Sequence, residues 1–263
     1  MKRFSLPCGA RRRLLATLLA AAAAAGAPCA GASGLVRTVA AVKPSVVGVG
    51  TWLKTRSPAT VFSGTGFVVG DGLGVITNAH VVPTATDAAH MEQIGIVTGD
   101  GGAVHFRPAQ LVARDTEHDL AYLRLSGPPL PALELGDSDR VPEGTALAFT
   151  GFPLGMVLGL HPATHRATLA AITPVVMPSL SSRKLDARQI TQLARTPFSV
   201  FQLDGTAYPG NSGSPLYDAA SGKVVGVINA VFVKGLKENA ISTPSGITYA
   251  IPVNYVRELM QQK

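Results

Sequence analysis

Cysteine is almost missing from this 263-residue chain, and the two that occur, Cys8 and Cys29, both lie in its first 29 residues. Beyond Cys29 the chain can form no disulfide, bind no metal through thiolate and use no cysteine nucleophile. Aromatic residues make up 6%, with a single tryptophan, and charged residues 15%. The main apolar run covers residues 14–25 and is interrupted by Thr17. That falls short of the roughly 20 residues a spanning helix needs. Excess charge is also scarcer than it looks. The formal net charge is +7, yet five of the 23 basic residues (Lys2, Arg3, Arg11, Arg12, Arg13) and none of the 16 acidic ones fall in residues 1–32. The remainder carries only +2, so nucleic-acid binding is not indicated.

What is present at the N-terminus reads as an export signal: a basic start, the short apolar run, then the small-residue stretch Ala30-Gly31-Ala32. Residues 1–32 are therefore expected to be a signal peptide, with the mature chain starting near Ser33 and residing in the periplasm or outside the cell. A retained buried or anchoring helix is the alternative. The paired arginines also suit a twin-arginine route. Pro28 and Gly26 argue against lipid modification of Cys29. No stable membrane span is expected once the signal is removed.

Glycine (28) and proline (19) are plentiful, and 46% of residues are hydrophobic, enough for a sizeable core. Short runs rich in Val, Ile, Thr and Phe recur at 45–52, 65–69, 74–77, 94–98, 104–113, 121–125, 146–150, 167–172, 200–203, 223–233 and 247–251. Turn signals such as Gly70-Asp71-Gly72 and Pro142-Glu143-Gly144 separate them. Regularly spaced short strands predict an all-β sandwich or barrel. Residues 254–263 carry Tyr255, Val256, Leu259 and Met260 at helical spacing and predict a closing helix. Residues 182–195 read as a short helix or polar loop, and 130–164 as a connection between two halves.

Three segments carry chemistry. Tyr208-Pro209-Gly210-Asn211-Ser212-Gly213-Ser214-Pro215 is a turn feeding a strand. A serine hydroxyl is a poor nucleophile without a base and without donors for the oxyanion it creates. Glycines around Ser212 let the backbone turn so that the N–H groups of Gly210 and Ser212 can converge. Read alone, this run is also what a plain β-turn looks like. Of six histidines, only His80, in Thr77-Asn78-Ala79-His80-Val81-Val82, sits among small and apolar neighbours that could hold a ring. His161 and His165 are four apart, but Pro162 disfavours a helix there and no third ligand is near, so no metal is expected. Asp119 abuts the apolar run Leu120-Ala121-Tyr122-Leu123. It could orient a histidine through Nδ1 or simply cap a strand. The order His, Asp, Ser is one of several that yield a catalytic triad.

With these residues the sequence resembles the trypsin-like serine peptidases of the bacterial HtrA/DegP type. The resemblance runs through Ser63-Gly64-Thr65-Gly66-Phe67-Val68-Val69, Thr77 to Val82, Asp119 to Leu123, Leu135-Gly136-Asp137-Ser138-Asp139, Gly151-Phe152-Pro153-Leu154-Gly155, Gly210 to Pro215 and Tyr249-Ala250-Ile251-Pro252. It implies a trypsin-like double β-barrel: two six-stranded barrels, at about 33–130 and 145–252, with a short C-terminal helix at 254–263 and the active site between the barrels. It implies His80 as general base, Asp119 as its orienter, Ser212 as nucleophile, and Gly210 with Ser212 as oxyanion hole. No cofactor follows from it, and protein or peptide substrates do. A homo-oligomer is compatible with it. Ser214 stands where many relatives have glycine, 173–197 is longer than in minimal relatives, and the PDZ domain common in the family is not expected here.

The resemblance also puts the primary pocket at Thr206, Ala207, Tyr208, Ile228 and Asn229. Thr206 stands near the place of a pocket acid, which disfavours cleavage after Lys or Arg and leaves an aliphatic or small P1 residue as the expectation. Protein quality control is a compatible role. Two rival functions remain open: a binding or chaperone-like protein with gated proteolysis, and an esterase. The lack of Gly-x-Ser-x-Gly between strand and helix disfavours the esterase.

Overall fold

The computed structural model describes residues 30–100, 103–155, 159–174, 198–230 and 246–262. The chain divides into two compact units, Met1–Arg37 and Thr38–Lys263. The second carries twelve strands closed into two barrels. Strands β1 (Val46–Trp52), β2 (Thr60–Val69), β3 (Gly74–Thr77), β4 (Gln93–Asp100), β5 (Ala103–Asp115) and β6 (Leu120–Leu125) form the first, in the order β1-β2-β3-β6-β5-β4. Strands β7 (Ala146–Gly151), β8 (Ala163–Pro174), β9 (Ser199–Asp204), β10 (Pro215–Asp218), β11 (Val224–Asn229) and β12 (Ile247–Pro252) form the second, in the order β10-β11-β12-β9-β8-β7. All the pairings between these strands are antiparallel. The expected double barrel is therefore the observed fold.

Closure follows from the strands themselves. A barrel needs strands that bend, and a bulge supplies a bend at one residue's cost in pairing. Register shifts occur at Leu111/Ala113 in β5 and Leu169/Ala171 in β8, the two longest strands. Apolar side chains then fill each interior, mostly β-branched in the first barrel and mostly Leu and Phe in the second. Val47, Val49, Val68, Val75, Ile96 and Leu123 make the first core. Leu147, Phe149, Leu169, Phe201, Leu203 and Ile228 make the second.

Most expected strands lie within observed ones whose ends extend further. Three expectations need correction. β10 is the strand fed by the Ser212 turn but does not stand among the expected apolar runs, because Pro215 opens it; proline is tolerated at the first strand position, where its missing N–H is not needed. The connection is shorter than 130–164, since β7 and the start of β8 fall inside that span. Its middle runs alongside both barrels, with Leu133 bridged to Val69 and Leu135 to Val224. Helix α1 (Ala30–Val42) was not foreseen either. Its Gly31, Ser33 and Gly34 are weak helix formers, although Thr38 and Val42 are buried one turn apart. The expected processing point near Ser33 falls within it. The possible helix at 182–195 lies outside the described residues.

The closing helix α2 (Val253–Gln261) matches its prediction, with Val256 and Leu259 fully buried and Val253 beside them. Burying three such side chains is worth about 1.5–3 kcal/mol each. Its first turn is tied to the connection by reciprocal bonds between Ser138 and Asn254, and Arg257 Nη2 donates to the Leu135 carbonyl at 2.9 Å.

Candidate active site

β3 delivers His80. The strand ends at Thr77, whose hydroxyl donates to the Thr65 carbonyl at 2.7 Å, and a single 3-10 turn, Ala79–Val81, follows. Arg114 of β5 braces that turn by donating to the carbonyls of Ala79 and Pro83. The loop between β5 and β6 brings Asp119 against it. The Asp119 carbonyl accepts from Ala79 N–H and from the Asn78 amide, both at 3.0 Å. Its carboxylate accepts from His80 N–H at 2.9 Å through Oδ1 and lies 2.6 Å from His80 Nδ1 through Oδ2. Asp119 is held at φ +54°, a left-handed conformation that Asp tolerates better than most residues and that still costs about 1 kcal/mol. The ring is less sheltered than its neighbours suggest, with its side chain 27% exposed.

Sequence reasoning missed a third partner of this carboxylate. Asn229, expected to face substrate, is 1% exposed and donates through Nδ2 to Asp119 Oδ2 at 2.7 Å. It comes from β11 of the second barrel, so one carboxylate oxygen joins both barrels. The signal was an amide at the end of a wholly buried strand, where a polar group must find a partner.

Ser212 sits on the loop before β10. Its carbonyl accepts from Thr65 N–H at 2.8 Å, which fastens the loop to β2 of the first barrel. Pro209 and Gly210 occupy the centre of a turn closed by Asn211 N–H to the Tyr208 carbonyl at 3.0 Å, with Gly210 at φ +96°. Proline then glycine at these positions fits a type II turn. The Pro209 carbonyl accepts from Leu154 N–H at 2.7 Å. Across a trans peptide the Gly210 N–H therefore points the opposite way. A Cβ on Gly210 would lie 2.3 Å from the Phe152 carbonyl oxygen, so conformation and space both demand glycine.

The amides of this loop divide cleanly. Those of Asn211, Gly213 and Ser214 donate to the carbonyls of Tyr208, Ile228 and Asn211. Those of Gly210 and Ser212 donate to no acceptor among the described residues. Beneath them, Asn211 and Ser214 are fully buried, and neither the Asn211 side-chain amide nor Ser214 Oγ has a partner among the described residues. No hydrogen bond joins the His80 ring to Ser212 Oγ among the described residues.

Of the other expected pocket residues, Thr206 and Ala207 follow β9, and Ala207 N–H donates to Thr248 Oγ1 at 2.9 Å. Ala207 packs on the second core, which holds Ile228 at 0% exposure. Tyr208 is 36% exposed and lies beside His165, which stacks on Phe149 at 4.9 Å. Burial holds the His165 imidazole below its usual range. Among the described residues no three His, Cys, Asp or Glu side chains gather as a metal site, and no described helix is long and apolar enough to cross a membrane.

Comparison with known proteins adds independent findings. The family described as Trypsin-like peptidase domain matches residues 64–227. A probable periplasmic serine endoprotease, DegP-like, of Halomonas elongata is 29% identical over 199 residues, covering 76% of this chain and 34% of the relative. The mitochondrial serine protease HTRA2 of Drosophila pseudoobscura pseudoobscura is 28% identical over 205 residues, covering 78% of this chain and 40% of the relative. The chain thus spans little more than a third of the length of these relatives. Among solved structures, the HtrA-type protease AlgW with tripeptide is similar at TM-score 0.61 and 27% identity, covering 86% of this chain and 62% of that one. The active form of the Rv3671c protease from M. tuberculosis has TM-score 0.61 at 22% identity, covering 89% and 86%, and supports the fold alone.

Proposed function

The chain belongs to the trypsin-like peptidase family, and from that premise we propose that it is an exported serine endopeptidase acting on proteins through an acyl-enzyme. In this reading Ser212 Oγ attacks the scissile carbonyl while His80 Nε2 takes its proton. Asp119 fixes the imidazole through Nδ1 and stabilises the imidazolium. The Gly210 and Ser212 amides receive the oxyanion. His80 then protonates the leaving amine, and water releases the acyl group. General acid–base transfer of this kind is worth roughly 10²–10⁴-fold, and each oxyanion donor about 10²–10³-fold.

The observation that carries this reading is the division of the loop amides. Donors left unused at a buried serine and two residues before it, while their neighbours are engaged, are what a developing negative charge requires. The hydrogen bond from His80 to Ser212 is then made as substrate fills the site, since such bonds often tighten only in the complex. Thr206 in place of a pocket acid supports aliphatic or small P1 residues. Relatives named as periplasmic serine endoproteases support export.

A fluorophosphonate probe should label Ser212 in the purified protein, as mapped by peptide mass spectrometry, and casein cleavage should vanish in Ser212→Ala. Cleavage surviving in that variant would sink the serine mechanism. The unmade His80–Ser212 bond favours a second reading, a chaperone-like protein with gated proteolysis. An inert wild type that suppresses aggregation of a denatured client would decide for it.

A further inference from the structure

The residue before Asp119 takes no part in the chemistry above, yet it is among the most heavily engaged side chains of the loop. His118 Nδ1 lies 2.5 Å from Asp115 Oδ2, while Asp115 Oδ1 accepts the backbone N–H groups of Glu117 and His118 at 2.9 and 3.0 Å. Asp115 thus closes the turn 115–118 and orients the His118 ring. These bonds, with the neighbouring His118, hold the Asp115 carboxyl below its usual range against the opposing effect of burial. The ring does not stay on the first barrel. It stacks on Tyr255 of α2 at 4.0 Å and 17° and meets Phe198, just before β9, edge-on at 4.7 Å. Phe198 and Tyr255 complete the triangle at 5.7 Å. Both side chains of the Asp115–His118 pair are only 16% exposed.

A strained backbone persists only where its surroundings over-determine it. Asp119 at φ +54° is fixed on its own side by Asn78 and Ala79. From the second barrel it is held at its carboxylate by Asn229, but its backbone is restrained there only through His118, which Phe198 and Tyr255 grip. We propose that His118 is a positioning residue: stacked on Tyr255 and edge-on to Phe198, it clamps the Asp119 loop to the second barrel and its closing helix, and so sets the aim of Asp119 at His80. The proposal rests on the triad reading for its kinetic consequence, but not for its geometric one. The groups facing the ring are Asp115 on its own loop, Phe198, and Tyr255, beside which Glu258 and Asp139 add negative charge.

The test is a set of full-length variants, His118→Ala, Tyr255→Ala and Tyr255→Phe, followed by proton NMR of the His80 Nδ1–H resonance across pH and by kinetics on a peptide substrate. With the clamp removed, Asp119 supports the imidazolium less well. The titration midpoint of His80 should then fall in both alanine variants and the acid limb of kcat should move with it. kcat should drop about tenfold, with KM within about twofold, since positional errors of a fraction of an ångström act on the reacting geometry. Tyr255→Phe keeps the ring and should restore both midpoint and rate. An unchanged midpoint in Tyr255→Ala overturns the proposal, as does a kcat loss that follows only the folded fraction. If His118→Ala fails to fold, the Tyr255 pair decides alone. If the wild type neither turns over nor takes the fluorophosphonate probe, the peptidase reading fails, while the NMR midpoints still judge the clamp.

Discussion

The two halves of the candidate site are built on opposite plans. On the first barrel, the carbonyl and both carboxylate oxygens of Asp119 are engaged. Its carbonyl takes two donors, and its carboxylate takes the His80 amide, the His80 ring and Asn229. On the second barrel, the loop around Ser212 keeps two amides, a buried carboxamide and a buried hydroxyl without protein partners among the described residues. The first half is an orienting device whose hydrogen bonds are made before substrate arrives. The second holds donors in reserve, and interactions strengthen a transition state only if they are not already spent in the ground state. A rigid base and a receptive loop are thus complementary.

The contrast can be broken most severely at the loop. Gly210→Ala would force a Cβ to within 2.3 Å of the Phe152 carbonyl at a φ of +96°. The loop must then move and carry its unused amide with it. A kcat loss of roughly 10²–10³-fold is expected, measured on a peptide substrate, with fluorophosphonate labelling slowed in step. A fully active variant would show that Gly210 N–H is not an oxyanion donor. A smaller effect is expected at the orienting half. Asn229→Ala removes a hydrogen bond to a charged group, worth about 1.5–3 kcal/mol. The expected cost is roughly ten- to a hundredfold in kcat with little change in KM, and Asn229→Ser should recover part of it. If KM rises instead, Asn229 faces substrate, as the sequence suggested.

The smallest effect concerns the first barrel's own charge contacts. The Asp87 backbone N–H, then the Thr51 hydroxyl and the Arg56 guanidinium, hold the Glu92 carboxyl down to about 2. A carboxyl with a depressed folded-state pKa stabilises the fold above its unfolded value, near 4.5, and loses that contribution as pH falls toward 2. Glu92→Gln should therefore lower Tm at pH 7 and match the wild type at about pH 2. A gap that stays constant over this range would show that the Arg56–Glu92 pair is too screened by solvent to matter.

The sequence was most legible where a residue's role is written in its neighbours. Gly210 and Gly213 flank Ser212, and both have positive φ. Asp119 directly precedes a strand whose first residue, Leu120, is fully buried. Short β-rich apolar runs between turn signals located the strands because buried strands impose them. Helix α2 was legible for the same reason at period 3.6. β10 was legible only as the strand fed by the Ser212 turn, because four residues opened by proline carry too little pattern of their own, and α1 was not, because its small residues resemble a processing site.

Chain chemistry alone thus determined the strand count to within one, the closing helix and the three side chains worth watching. Tertiary structure alone decided that Asn229 reaches Asp119 across the barrels, that His118 is gripped by Phe198 and Tyr255, and which loop amides are left unused. The reason is physical. Local patterns record how a segment meets water and its own backbone, whereas a hydrogen bond or a ring stack between residues more than a hundred positions apart exists only once the barrels have closed and fixed both partners in one frame.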